Sequence, residues 1–185
     1  MIWNQFKRQL SSMHKKRNKI IQFSPIRSGS TLVYNLLREV FPRKKIIKCH
    51  NYSQEYSKHL TVVTYRNPLD CIASSIQRYG LAPTDEVIEE QNLELTRNGI
   101  WEVMEIKNNS NVLMLRYEDF VNDFEIIYDE LERFLKTEIS LEMRNKLNKK
   151  YNIEEINKFI SRFESFSEYN PITHWHGKHI SSYKG

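Results

Sequence analysis

The chain has 185 residues, 39% apolar and 28% charged, with a net charge of +5. That length fits a single domain, residues 1–185, with a modest core, and the composition excludes a disordered or membrane-embedded chain. No run approaches the roughly 18 apolar residues of a membrane span, and the start, Met1-Ile2-Trp3-Asn4-Gln5-Phe6-Lys7-Arg8, has no signal-peptide core, so the expectation is a cytoplasmic protein with no membrane span.

Basic residues cluster at His14-Lys15-Lys16-Arg17-Asn18-Lys19 and again at Arg43-Lys44-Lys45. Such runs form either a solvated face or a field that attracts a polyanion. Nucleic acid and a multiply charged nucleotide fit that field equally, so charge alone does not choose between them.

Lys19-Ile20-Ile21-Gln22-Phe23 reads as a strand. Residues 29 to 41 read as a helix with Leu32, Val33, Leu36, Leu37 and Val40 on one face, ended by Pro42. Between them lies Ser24-Pro25-Ile26-Arg27-Ser28-Gly29-Ser30-Thr31. A tight strand–loop–helix turn aims backbone N–H groups at one point, and the helix N-terminus adds partial positive charge. Gly29 permits close approach of an anion, while Ser28, Ser30 and Thr31 add hydroxyls. The turn is a poor match to G-x-x-x-x-G-K-[ST], because Ser24 replaces the first glycine and Ser30 the lysine. The cation has moved to Arg27.

Lys45-Ile46-Ile47-Lys48-Cys49 reads as a second strand. Residues two apart share a face of a strand, so Lys48 and His50 point the same way and Cys49 the other. The two cysteines, Cys49 and Cys71, form neither a disulfide framework nor a metal-type Cys-x-x-Cys. Leu60-Thr61-Val62-Val63-Thr64-Tyr65 is a third strand. Asn67 then caps a helix with Pro68 at its first position, Asp70 in its first turn, and Leu69, Ile72, Ala73 and Ile76 as its apolar face.

An amphipathic stretch runs from about 84 to 108, and Asn111–Arg116 is a fourth strand. Within residues 79–108, Tyr79, Trp101 and Met104 are candidate walls of a ligand pocket. Residues 121–136 read as a helix burying Phe124, Ile127, Tyr128, Leu131, Phe134 and Leu135. Shorter helices fit 140–150 and 152–163. The last twenty residues are aromatic, His-rich and irregular. His174, His176 and His179 lack a cysteine or acid to complete a set of ligands, so no metal is expected.

Strands alternating with helices predict an α/β fold, a parallel sheet flanked by helices, with its core at about 19–136 and a helical, irregular part at 137–185. Ligands of such folds sit beyond the carboxyl ends of the strands.

Several segments at those ends resemble the family of sulfotransferases that use 3′-phosphoadenosine 5′-phosphosulfate (PAPS), a P-loop NTPase-like fold. Pro25-Ile26-Arg27-Ser28-Gly29-Ser30-Thr31 resembles the loop that holds the 5′-phosphosulfate. Lys48-Cys49-His50 is similar to the family's Lys-Thr-His, which carries the catalytic histidine. Arg66-Asn67-Pro68-Leu69-Asp70, with Ser74 eight residues after Arg66, resembles the segment that binds the 3′-phosphate. Arg116-Tyr117-Glu118-Asp119-Phe120 resembles a further, mainly structural landmark. Lys184-Gly185 is similar to a C-terminal Arg-Lys-Gly loop, with Tyr183 in place of the arginine. Leu32 stands where many members carry a tryptophan that stacks on adenine.

The resemblance implies PAPS as sulfuryl donor, 3′,5′-adenosine bisphosphate (PAP) as product, and no metal. It assigns donor binding to Arg27, Ser28, Gly29, Ser30, Thr31, Arg66, Ser74, Lys184 and Gly185, and catalysis to His50, Lys48 and Arg27. The partner it implies is a small-molecule, glycan or lipid acceptor with a hydroxyl or amine, and no nucleic acid. A small P-loop kinase and a non-catalytic nucleotide- or nucleic-acid-binding module are the alternatives.

Overall fold

Four short β-branched runs fix the frame: β1 (Lys19–Phe23), β2 (Lys45–Cys49), β3 (Leu60–Tyr65) and β4 (Val112–Arg116). The structure is a computed structural model and describes residues 18–177 and Ile180. Lys184 and Gly185, the cluster from His14 to Arg17, and His179 lie outside the described residues.

The sheet is parallel throughout, in the order β2-β1-β3-β4. Chain connections leave β1 toward β2 on one side, and β3 lies on the other. The gap between β1 and β3 is therefore a topological switch point, which opens a crevice beyond the strands' carboxyl ends. The predicted fold class holds.

Strand alternation sorts the core into two faces. Ile20, Val62, Leu113 and Leu115 pack against α1 (Ser30–Val40), through Val33, Leu36 and Leu37. They also meet Ile127, Tyr128 and Leu131 of α6 (Glu125–Leu135). Ile21, Phe23, Val63 and Val112 face the other way, toward Tyr52, Tyr56, Val103 and Ile106. Each fully buried aliphatic side chain contributes about 1.5–3 kcal/mol by leaving water.

The helix after β3 is α2 (Pro68–Tyr79), with Asn67 as its cap: the Asn67 side-chain oxygen accepts from the Leu69 N–H. Its inward face is centred on Cys71, Ser74 and Ser75, so Leu69, expected inside, is 72% exposed. The stretch 84–108 is two helices, α3 (Asp85–Arg97) and the short α4 (Val103–Ile106), parted where Gly99 takes φ +82°. The helix expected at 121–136 is one helix, α6, which begins at Glu125 and is preceded by a separate short turn of helix. Tyr117–Phe120 forms α5, and Asp123 then accepts from the Glu125 N–H to start α6. Helices α7 (Leu141–Lys150) and α8 (Ile153–Ile160) complete the order. No helix among the described residues is long and apolar enough to cross a membrane.

Candidate functional site

The turn after β1 is built for close approach. Gly29 caps α1 at φ +80°, and a Cβ there would lie 2.8 Å from the Tyr117 ring and 2.9 Å from that of Phe120. Arg27 holds φ +62°, a left-handed conformation costly for a residue with a Cβ. The first-turn N–H groups of α1, at Ser30, Thr31 and Leu32, have no intrahelical acceptor by helix geometry, and the helix dipole makes their surroundings positive. Ser28 differs from the sequence expectation. Its hydroxyl turns inward, donating to the Pro25 carbonyl at 2.7 Å and lying 3.2 Å from that of Thr64. It pins the turn to β3 and offers the cavity no hydroxyl.

The end of β2 delivers two groups to the same place. Lys48 Nζ donates to Thr31 Oγ1 at 2.7 Å, and burial followed by the Arg78 charge pushes the lysine down to about 8. His50 Nδ1 donates to the Ser24 carbonyl at 2.8 Å. That bond fixes the tautomer and leaves the lone pair on Nε2. Burial, then Lys48, holds the imidazole down at about 4, so it is neutral at physiological pH. Cys49 faces the opposite side, packed with Phe23, Tyr52 and Tyr56, as the strand period predicts.

Arg66 emerges from β3 and is 5% exposed. Its guanidinium lies over the Tyr117 ring at 4.3 Å, and Nη1 reaches the Arg27 carbonyl at 3.5 Å. Arg27 in turn donates to Ser74 Oγ from Nε at 3.0 Å and Nη2 at 2.9 Å. Arg27, Arg66 and Ser74 therefore form one connected group across the switch point. Glu118 is structural: it accepts from the Asn67 N–H at 2.9 Å and pairs with Arg116 at 3.2 Å, tying β4 to the start of α2.

These groups surround one cavity of about 400 Å³. Arg27, Gly29, Ser30, Thr31, Lys48, His50, Arg66 and Ser74 all line it, and no aspartate or glutamate does among the described residues. Leu32, Val121, Phe124, Tyr151, Ile153 and Ile156 supply an apolar flank suited to a base ring. Arg78, Phe166, Trp175 and His176 also line the cavity. Of the walls expected in 79–108 only Tyr79 does, while Trp101 and Met104 are 59% and 50% exposed and face elsewhere. Arg78 had a sequence signal, since it falls one helical turn after Ser74 on the same face. Phe166, Trp175 and His176 had none, because they sit in an irregular segment placed only by tertiary packing. No group of three or more His, Cys, Asp or Glu able to hold a metal ion occurs among the described residues.

No family model matches the sequence, and no curated protein matches it. The comparison with solved structures gives the fold: the chain has the sulfotransferase fold. It is similar to the crystal structure of mouse sulfotransferase SULT7A1 complexed with PAP, at TM-score 0.60 and 20% identity, over 76% of this chain and 65% of that one. It is also similar to retinol dehydratase in complex with androsterone and the inactive cofactor PAP, at TM-score 0.56 and 16% identity, over 76% and 66%. The match thus spans just under two thirds of each of those structures.

Proposed function

We propose that this chain is a sulfotransferase that moves the sulfuryl group of PAPS to a hydroxyl or amine of an acceptor. The observation that carries this reading is a cavity at the switch point lined by Arg27, Lys48, Arg66 and a helix N-terminus. A concave lining with that many positive groups focuses a field that attracts a multiply charged nucleotide, and guanidinium groups bind phosphate through charge-assisted bonds. The bound donor supplies the activated sulfuryl group.

The first turn of α1, with Ser30 and Thr31, holds the 5′ anion, and Arg66 with Ser74 holds the 3′-phosphate. Arg27 lies between the two and serves both. Nε2 of neutral His50 takes the proton of the attacking acceptor group. Lys48, fixed on Thr31 Oγ1, neutralises the charge left on the departing phosphate oxygen. Fixed cations thus stand where a phosphoryl-transfer enzyme uses Mg²⁺. The PAP-bound neighbours and the family resemblance of the loop, Lys48-Cys49-His50 and Arg66–Ser74 support the same reading.

The test is sulfuryl transfer from PAPS, read as PAP release over an acceptor panel. His50→Ala is expected to lose about 10²–10⁴-fold in turnover, the range for a removed general base, while still binding PAP. Turnover near the native rate in that variant rejects the assignment of the base.

A further inference from the structure

Arg78 is not needed to hold the donor in the assignment above. It lies on α2 one turn beyond Ser74, its guanidinium over the Phe166 ring at 3.7 Å. Nε and Nη2 are shut off from solvent and find no acceptor among the described residues. Its side chain lines the cavity, which has no acidic lining residue among those described.

The wall behind it is firmly built. His176 stacks on Phe166 with centroids 4.4 Å apart, and His176 Nδ1 donates to the Phe166 carbonyl at 3.0 Å. Gly177 N–H donates to the Glu168 carbonyl at 3.1 Å, and a Cβ on Gly177 would lie 2.3 Å from the Ser165 carbonyl oxygen. Arginine stacked on a ring keeps its N–H edge in one plane, suited to an oxyanion. The surroundings say which end of the cavity this is. Arg66 sits with Tyr117, whereas Arg78 lies over Phe166 on the wall that His176 stacks against, and its field reaches Arg27 and Lys48. Arg78 therefore lines the Phe166–His176 side of the cavity rather than the Tyr117 side where Arg66 sits.

We propose that the acceptor is itself an oxyanion, a carboxylate, phosphate or sulfate ester carrying the hydroxyl or amine to be sulfated, and that Arg78 on the Phe166–His176 wall holds its charge. This rests on the sulfotransferase reading and deepens it. A neutral acceptor would leave a buried guanidinium without a counter-charge when the site is filled. An anionic one supplies it and sets the nucleophile next to His50. Cavity cations then divide by task, with Arg27, Lys48 and Arg66 for the donor and Arg78 for the acceptor.

The experiment measures binding to the PAP-saturated protein and turnover with PAPS, using matched probes: glucose, glucuronate and glucose 6-phosphate, and 4-methylphenol with 4-hydroxyphenylacetate. The expected result is a PAP-dependent preference for the charged probe of each set of about tenfold or more in both affinity and kcat/KM, abolished in Arg78→Gln. Glucuronate and glucose 6-phosphate separate a carboxylate from a phosphate as the favoured anion. Equal use of charged and neutral probes overturns the proposal. So does an Arg78→Gln variant that loses PAP affinity by the same factor as it loses turnover, which would place Arg78 on the donor. Failure of the native protein to bind PAP overturns the sulfotransferase reading instead, before any acceptor is added.

Discussion

Replacing Gly29 by alanine tests how tightly the anion turn is built into the rest of the site. Two costs follow from the geometry. The φ of +80° imposes about 1–2 kcal/mol on any L-residue with a Cβ. The new methyl would also stand 2.8 Å from the Tyr117 ring and 2.9 Å from that of fully buried Phe120, and overpacking of that kind costs about 1–3 kcal/mol. The sum is about 2–5 kcal/mol, or a drop in Tm of roughly 4–20 °C for a chain of this size. Gly80→Ala is the control. Gly80 has φ +63° but nothing within 4 Å of its would-be Cβ, so only the backbone cost applies.

Relief of the clash must move Tyr117, and the Tyr117 ring carries the Arg66 guanidinium at 4.3 Å. Gly29→Ala is therefore expected to weaken PAP binding about tenfold or more, because a charge-assisted contact loses its geometry. Urea denaturation of both variants, with PAP titration by calorimetry, decides the matter. A Gly29→Ala stability loss no larger than that of Gly80→Ala, together with native PAP affinity, would refute the coupling of turn, ring and arginine.

Arg66→Ala is expected to weaken PAP by about 2 kcal/mol or more, roughly 30-fold, as measured by calorimetry; unchanged affinity would remove Arg66 from the donor site. PAP affinity is also expected to depend on pH through Lys48. Burial sets the free lysine at about 8, below its ordinary 10.5, and an anion favours its charged form, so binding takes up a proton above that pH. Affinity is then flat below about pH 8 and falls by up to about tenfold per pH unit above it, which titrations at about pH 7 and about pH 9.5 would show. The ligand-free protein moves the opposite way. Its unfolded state binds more protons between about 8 and 10.5, so its stability rises with pH across that window, a trend readable by urea denaturation.

Sequence patterning carried most of the sheet and the Gly29–Arg66 side of the cavity. The pairs Ile20/Ile21 and Val62/Val63 alternate between two buried layers, and period two alone set Lys48 and His50 against Cys49. The turn at Gly29 and the Asn67-Pro68 cap are local signals, so they were legible one segment at a time. The joining of Arg27 to Ser74 was not, since the bond spans 47 residues and depends on β1 lying beside β3. Part of the cavity wall escaped the sequence for the same reason. Phe166, Trp175 and His176 have no periodicity to announce them, whereas Trp101 and Met104, expected as pocket walls, stand exposed. Leu69 failed differently: it is apolar in helical register with Ile72 and Ile76, which are buried, but in the helix's first turn it falls at the edge of the face formed by Cys71, Ile72, Ser74, Ser75 and Ile76.

The most direct measurement is a calorimetric titration of the protein with PAP, with adenosine 5′-monophosphate, and with ATP and Mg²⁺. One site with PAP bound about 30-fold or more tighter than the monophosphate, and no gain from Mg²⁺, is the predicted result. Equal affinity for PAP and the monophosphate, or a preference for Mg²⁺–ATP, would contradict a cavity made for a nucleoside phosphorylated at both ends.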